Sequence, residues 1–266
     1  MDLLLALSGV LAGAFGALLG LGGGILIVPI LTLVFGLPLT TAVGTSLVCV
    51  IATSTGAAAF NVRAGRADVR LAISLGAGTV VGAMTGAVIA GYLPERVLAG
   101  LFAALLLYTA FTMLRGLRRP AVGADGPEED ASVPHGPRAP AYRSRRLPLA
   151  ISGSVLAGNV SGLLGVGGGI VTVPLINLVM GAPMRIAITT SNVMIGITAA
   201  AGAYAYLFRG DLDPRLAAPV VLGVVVGAAI GASISRRLRT SWLAGLFVVV
   251  VLYVALQMGL RAFGAI

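Results

Sequence analysis

Apolar runs alternate along this chain with short polar or arginine-bearing breaks. The runs fall over residues 3–19, 25–35, 40–61, 70–92 and 97–115, and again over residues 148–164, 170–180, 185–207, 215–235 and 241–260. Leu39–Val62, Leu71–Leu93, Leu98–Leu114 and Val220–Ser235 contain no charged residue. Each is at or near the roughly 20 residues that cross a bilayer core. The second run of each set is too short to cross: residues 25–35 or 170–180 make a helix of only about 17 Å, against a hydrocarbon core of about 30 Å. A glycine run precedes each short segment and breaks the helix before it. The first two runs of each set therefore predict either a helical hairpin or one broken span.

The two sets are copies of one another, aligned without gaps at an offset of 145 residues. Gly20-Leu-Gly-Gly-Gly24 matches Gly165-Val-Gly-Gly-Gly169, and Val28-Pro29 matches Val173-Pro174. Thr45-Ser46 matches Thr190-Ser191, Asp68 and Arg70 match Asp213 and Arg215, and Leu98-Ala-Gly-Leu-Phe102 matches Leu243-Ala-Gly-Leu-Phe247. Such a period fixes the architecture before any local detail. Between the copies, Arg115–Leu147 is rich in Pro, Arg and acidic residues and has no apolar period. The chain thus divides into a first transmembrane repeat (1–115), a polar, flexible cytoplasmic linker (116–147) and a second transmembrane repeat (148–266). His135, the one histidine, falls in the linker and reads as a solvated residue.

Charge chooses between hairpin and broken span. If each short pair is a hairpin returning to its starting side, 14 of the 18 arginines share one side of the membrane. If each pair crosses once, the split is 13 against 5, and the Arg236-Arg-Leu-Arg239 turn faces outward, against the positive-inside rule. The hairpin reading is preferred. It gives each half an odd number of crossings, so the halves are inverted repeats, a recurrent transporter design. The predicted fold is an all-α polytopic membrane protein of two homologous halves, each a Gly-rich broken-helix hairpin plus three transmembrane helices.

Composition agrees: 58% of residues are apolar and 10% charged, against about 25% charged in soluble domains. The formal charge of +9 is all arginine, with no lysine. These arginines flank apolar runs and do not stripe one face, so lipid and not nucleic acid is the expected partner. The one cysteine, Cys49, lies inside a run and rules out intrachain disulfides and cysteine-cluster metal sites. The Met1-Asp2-Leu3 start lacks a basic n-region, so the first run is not expected to be a cleaved signal peptide. Nothing in the pattern fixes an oligomeric state.

Three motifs could carry chemistry. In hydrocarbon every backbone N–H and C=O needs a partner, so glycine breaks belong inside protein or beside a polar cavity. The short helices beginning near Ile25 and Ile170 would aim their amino ends, each with about half a positive charge, at the breaks. Two such ends meeting at the centre would bind an anion without a basic side chain, using Gly22, Gly23, Gly24, Gly167, Gly168 and Gly169. The second motif is Thr45-Ser46 with its copy Thr190-Ser191, followed by Asn192 where the first half has Leu47. Hydroxyls and an amide can donate to an oxyanion; the competing role is a bond back to the helix's own turn. The third is the pair of stripes Gly78-Gly82-Gly86 and Gly223-Gly227-Gly231, which read as close helix packing and not as a site. No carboxylate or histidine falls within a run, so the general bases and metal ligands of an intramembrane enzyme lack residues. No enzyme activity, cofactor or metal is expected.

The sequences Gly20-Leu-Gly-Gly-Gly-Ile-Leu-Ile-Val-Pro-Ile-Leu31 and Gly165-Val-Gly-Gly-Gly-Ile-Val-Thr-Val-Pro-Leu-Ile176 resemble the duplicated motif of the sulfite exporter TauE/SafE family of bacterial permeases. The Thr-Ser segments and the central polar linker fit as well. The resemblance implies a multi-pass protein of the bacterial cytoplasmic membrane that carries a small sulfur-containing oxyanion, such as sulfite or an organosulfonate, with export as the expected direction. A passive anion channel and a non-transporting membrane scaffold are the alternative expectations.

Overall fold

The computed structural model of the protein describes residues 2–19, 23–65, 67–118, 147–235 and 240–264. Gly22, most of the linker with His135, and the Arg236–Arg239 turn lie outside these. The described residues form α1 (Asp2–Leu19), α2 (Gly24–Pro29, running into the π-helical turn Ile30–Val34), α3 (Leu39–Arg63), α4 (Val69–Tyr92) and α5 (Glu95–Arg118). The second half repeats them as α6 (Leu147–Leu164), α7 (Gly169–Pro174, with the π-helical turn Leu175–Val179), α8 (Met184–Phe208), α9 (Pro214–Ser235) and α10 (Thr240–Ala262). α5 thus continues to Arg118, into the segment read as linker. Among the described residues, five helices are long and apolar enough to cross a membrane: α3, α4, α5, α8 and α9.

Local chemistry explains the breaks. Gly23 and Gly168, at φ 77° and 76°, precede α2 and α7 in the left-handed region that only glycine enters cheaply. Pro29 and Pro174 lack an N–H and crowd the preceding turn, and each short helix widens to a π-turn immediately after its proline. Pro38 and Pro183, in extended conformation, then start α3 and α8. Asp68 caps α4 by accepting from Leu71 N–H at 3.0 Å, and Glu95 reaches across to accept from Leu39 N–H at the start of α3, also 3.0 Å.

The contacts decide the hairpin question for the second half. A Cβ on Gly168 would stand 3.2 Å from Ala157 O, while a Cβ on Gly153 would meet Leu175 Cδ1 at 2.4 Å. α7 therefore doubles back along α6. Gly44 packs on Tyr206, Leu47 on Gly202 and Ser54 on Gly196, so the equivalent helices α3 and α8 run antiparallel. α5 and α10 are antiparallel as well, with Arg96 beside Gly264 and Gly100 beside Ala262.

The halves are interlaced. α1 packs along α9 of the other half, and α6 along α4. The glycine stripes make these seams: a Cβ on Gly82 would sit 2.0 Å from Val155 O, on Gly86 2.2 Å from Asn159 O, on Gly223 2.0 Å from Ala6 O and on Gly227 2.1 Å from Val10 O. Backbones approach this closely only through small residues. Large apolar side chains such as Leu3, Ile73, Leu156, Leu222 and Val249 point outward, as lipid-facing residues do and a soluble surface does not.

Candidate functional site

The two glycine segments meet. A Cβ on Gly24 would lie 2.8 Å from Gly165 O, 2.9 Å from Val50 Cγ2 and 3.1 Å from Ser46 Oγ, so the backbones touch where only glycine fits. Gly165 in turn rests on Val43, and Gly167 between Val50 and Ile195. Ser46 of α3 holds the junction: its hydroxyl lies 2.8 Å from Gly165 O and 3.2 Å from Gly24 O. One proton serves two carbonyls from opposite halves.

The other predicted hydroxyls separate. Serines and threonines elsewhere in these helices mostly bond back to their own turn, as Thr32, Thr85, Thr109 and Ser154 do. Thr190 instead accepts from Asp68 N–H at 3.0 Å, which ties α8 to the start of α4. Ser191 and Thr45 are fully buried and their hydroxyls have no hydrogen-bond partner. Ser191 Oγ lies 3.8 Å from where a Gly169 Cβ would be. Asn192 is half-buried, whereas its counterpart Leu47 is fully buried against Gly202.

The sequence reading missed Ser161. It is buried on α6, its hydroxyl also lacks a partner, and it lies against Gly168, with Oγ 3.6 Å from the position of a Cβ there. The signal was present in the repeat: the first half has Gly16 at this register.

Electrostatically the site is neutral. Among the described residues, the buried polar side chains are Ser, Thr and Tyr206, and none is charged. Arg209 pairs with Asp211 at 2.6 Å and donates to Ala87 O near the end of α4, and Arg261 donates to Thr32 O at 3.1 Å. Tyr206, stacked beneath Arg209, donates to Gly162 O at 3.0 Å just before the second glycine segment. Within the first turns of α2 and α7, Leu26 and Val171 donate back to Gly23 O and Gly168 O, at 3.1 Å each, so what the junction offers is donation from hydroxyls and from the amides that precede these two.

Comparison with known proteins follows the same lines. The sequence model of the sulfite exporter TauE/SafE family matches residues 5–258. The chain is 26% identical over 272 residues to the probable membrane transporter protein YunE of Bacillus subtilis, covering 96% of each. It is 28% identical to the probable membrane transporter protein YdhB of Bacillus subtilis over 84% of each chain. A probable membrane transporter protein of Haemophilus influenzae is 26% identical over 97% of this chain and 98% of its own length. No solved structure matches the chain significantly. With the interlaced apolar helices, these similarities describe a multi-pass membrane transporter that acts on a small-molecule substrate. This chain belongs to the sulfite exporter TauE/SafE family.

Proposed function

We propose that this protein is a secondary permease that moves a small oxyanion, such as sulfite or an organosulfonate, outward across the bacterial cytoplasmic membrane. The observation that carries the reading is the junction of the two glycine segments, Gly24 on Gly165, clamped by Ser46 between helices that run antiparallel. Around it the buried polar groups among the described residues are hydroxyls, which can donate to an anion. Gly23, Gly24, Gly167, Gly168 and Gly169 let the ligand approach backbone, and Ser191 and Asn192 donate to it. Thr190 ties α8 to the start of α4, and Thr45, buried with an unpaired hydroxyl, is a further donor for the ligand. The antiparallel α3 and α8 favour inverted repeats that rock about the junction, with the arginine-rich loops in the cytoplasm.

Counterflow in liposomes tests this. Purified protein loaded with unlabelled sulfite or methanesulfonate should accumulate the labelled anion transiently. A channel would give electrical conductance without counterflow, and a scaffold would give neither; both outcomes would remove the permease reading.

A further inference from the structure

We infer that the two glycine segments are unequal: the anion is held at the second one, by the hydroxyls of Ser161 and Ser191, and the site takes singly charged oxyanions. This rests on the permease reading above and says where and in what charge state the substrate binds.

Two buried hydroxyls without partners converge on consecutive residues. Ser161 comes from α6 and reaches Gly168; Ser191 comes from α8 and reaches Gly169. Both are fully buried, and neither takes the bond to its own turn that a membrane-helix serine usually makes. A buried hydroxyl left unpaired is unfavourable by about 1–3 kcal/mol. Two of them against consecutive glycines point to a ligand that pairs with them. The first half is built differently: Thr45 is buried and unpaired there, but the residues that correspond to Ser161 and Ser191 offer no unpaired hydroxyl. Gly16 replaces Ser161, and Ser46, the copy of Ser191, is engaged with the carbonyls of Gly24 and Gly165. The first segment is therefore the clamp and the second the receptor.

Charge follows from the same inventory. No cationic side chain is buried among the described residues. The arginines nearest the bundle interior are engaged elsewhere, Arg209 with Asp211 and Ala87 O, and Arg261 with Thr32 O. Gly167 is walled by Val50 and Ile195. Neutral O–H and N–H donors in such apolar surroundings can offset one negative charge; a second would stay uncompensated at high desolvation cost. The ligand class is a monoanion with a compact oxygen-bearing head, such as hydrogensulfite or an alkanesulfonate, in preference to sulfate.

The test is binding to the full-length protein in detergent, read as thermal shift with methanesulfonate, with sulfate, and with sulfite on either side of its second ionisation. Wild type should bind methanesulfonate at both pH values, sulfite mainly as hydrogensulfite, and sulfate weakly. Ser161→Gly, which restores the first-half residue, and Ser191→Ala should each lower methanesulfonate affinity about tenfold or more, the scale of one hydrogen bond to a charged group. Their unliganded melting temperatures should hold or rise, because an unpaired hydroxyl is removed. Ser161→Ala replaces Ser161→Gly if glycine loosens α6. Ser46→Ala should melt earlier than wild type, because it removes the bonds to Gly24 O and Gly165 O. Undiminished affinity in both the Ser161 and Ser191 variants would overturn this inference and leave the permease reading in place. Equal or tighter binding of sulfate would overturn the charge assignment. No binding of any of these anions by wild type would overturn the inference together with the oxyanion reading.

Discussion

Neighbouring residues in this chain have separate roles because a helix turns about 100° per residue. Thr190 and Ser191 are adjacent, yet one accepts from Asp68 N–H and the other lies beside Gly169. Glycine identity matters most where φ is positive and the space is taken. Gly23 and Gly168 combine φ of 77° and 76° with backbone atoms close by. Gly23→Val and Gly168→Val should therefore abolish transport, since a β-branched residue there strains the turn by roughly 1–3 kcal/mol and occupies the approach to the backbone. Counterflow at matched protein levels measures this. Asn192→Leu restores the first-half residue at a half-buried position. It should leave the melting temperature equal or higher and lower oxyanion affinity by about 0.5–3 kcal/mol. Wild-type affinity in this variant would take Asn192 out of the site.

At the scale of elements, the glycine stripes are seams and not sites, and they join different halves. The distances rank their sensitivity. A Cβ on Gly82 meets the carbonyl oxygen of Val155, which cannot move without shifting α6. A Cβ on Gly78 first meets the Ser154 hydroxyl, a side chain that can rotate, although Ile151 O stands 3.2 Å away. Gly82→Ala should thus lower the melting temperature more than Gly78→Ala, with a cost on the overpacking scale of about 1–3 kcal/mol. The molecules that fold should keep their oxyanion affinity. Equal melting temperatures would contradict the seam. The short helices show how local signals set elements: the sequence placed their starts near Ile25 and Ile170, and the observed starts are Gly24 and Gly169. Positive-φ glycine and in-helix proline are readable without knowing any contact. Each short helix widens to a π-turn after its proline, at Ile30–Val34 and Leu175–Val179, a detail that the apolar pattern alone does not specify.

For the molecule as a whole, exchange of α1 and α6 between halves makes the two repeats one folding unit. The ends of α4 and α8 lie together, since Arg209 just past α8 reaches Ala87 and packs on Gly91. Both ends must then be on one side of the membrane, which the hairpin reading assigns to the outside. In a Cys49→Ser background, Tyr92→Cys and Phe208→Cys, at positions now 86% and 84% exposed, should be labelled by an impermeant thiol reagent in intact cells. Arg63→Cys, at the far end of α3, should be labelled only after the membrane is opened. Labelling of Arg63→Cys in intact cells, with Tyr92→Cys protected, would reverse the orientation. Opposite accessibility of Tyr92→Cys and Phe208→Cys would refute the shared face itself.

The sequence by itself determined the segments, the duplication and the breaks. Each rests on short-range physics: absence of charge over a bilayer's length, a match at fixed offset, and glycine and proline backbone limits. Charge asymmetry then favoured the hairpin, through the membrane's own preference for arginine on one side. Only the tertiary structure decided which half each first helix packs on and which hydroxyls are left unpaired. Those outcomes depend on partners far apart in the chain: Ser46 finds Gly165 at a separation of 119 residues, and Thr190 finds Asp68 at 122. A serine's sequence neighbourhood does not say whether such a carbonyl or N–H will arrive, so Ser46, Ser161 and Ser191 became clamp and receptor only when the two halves closed on each other.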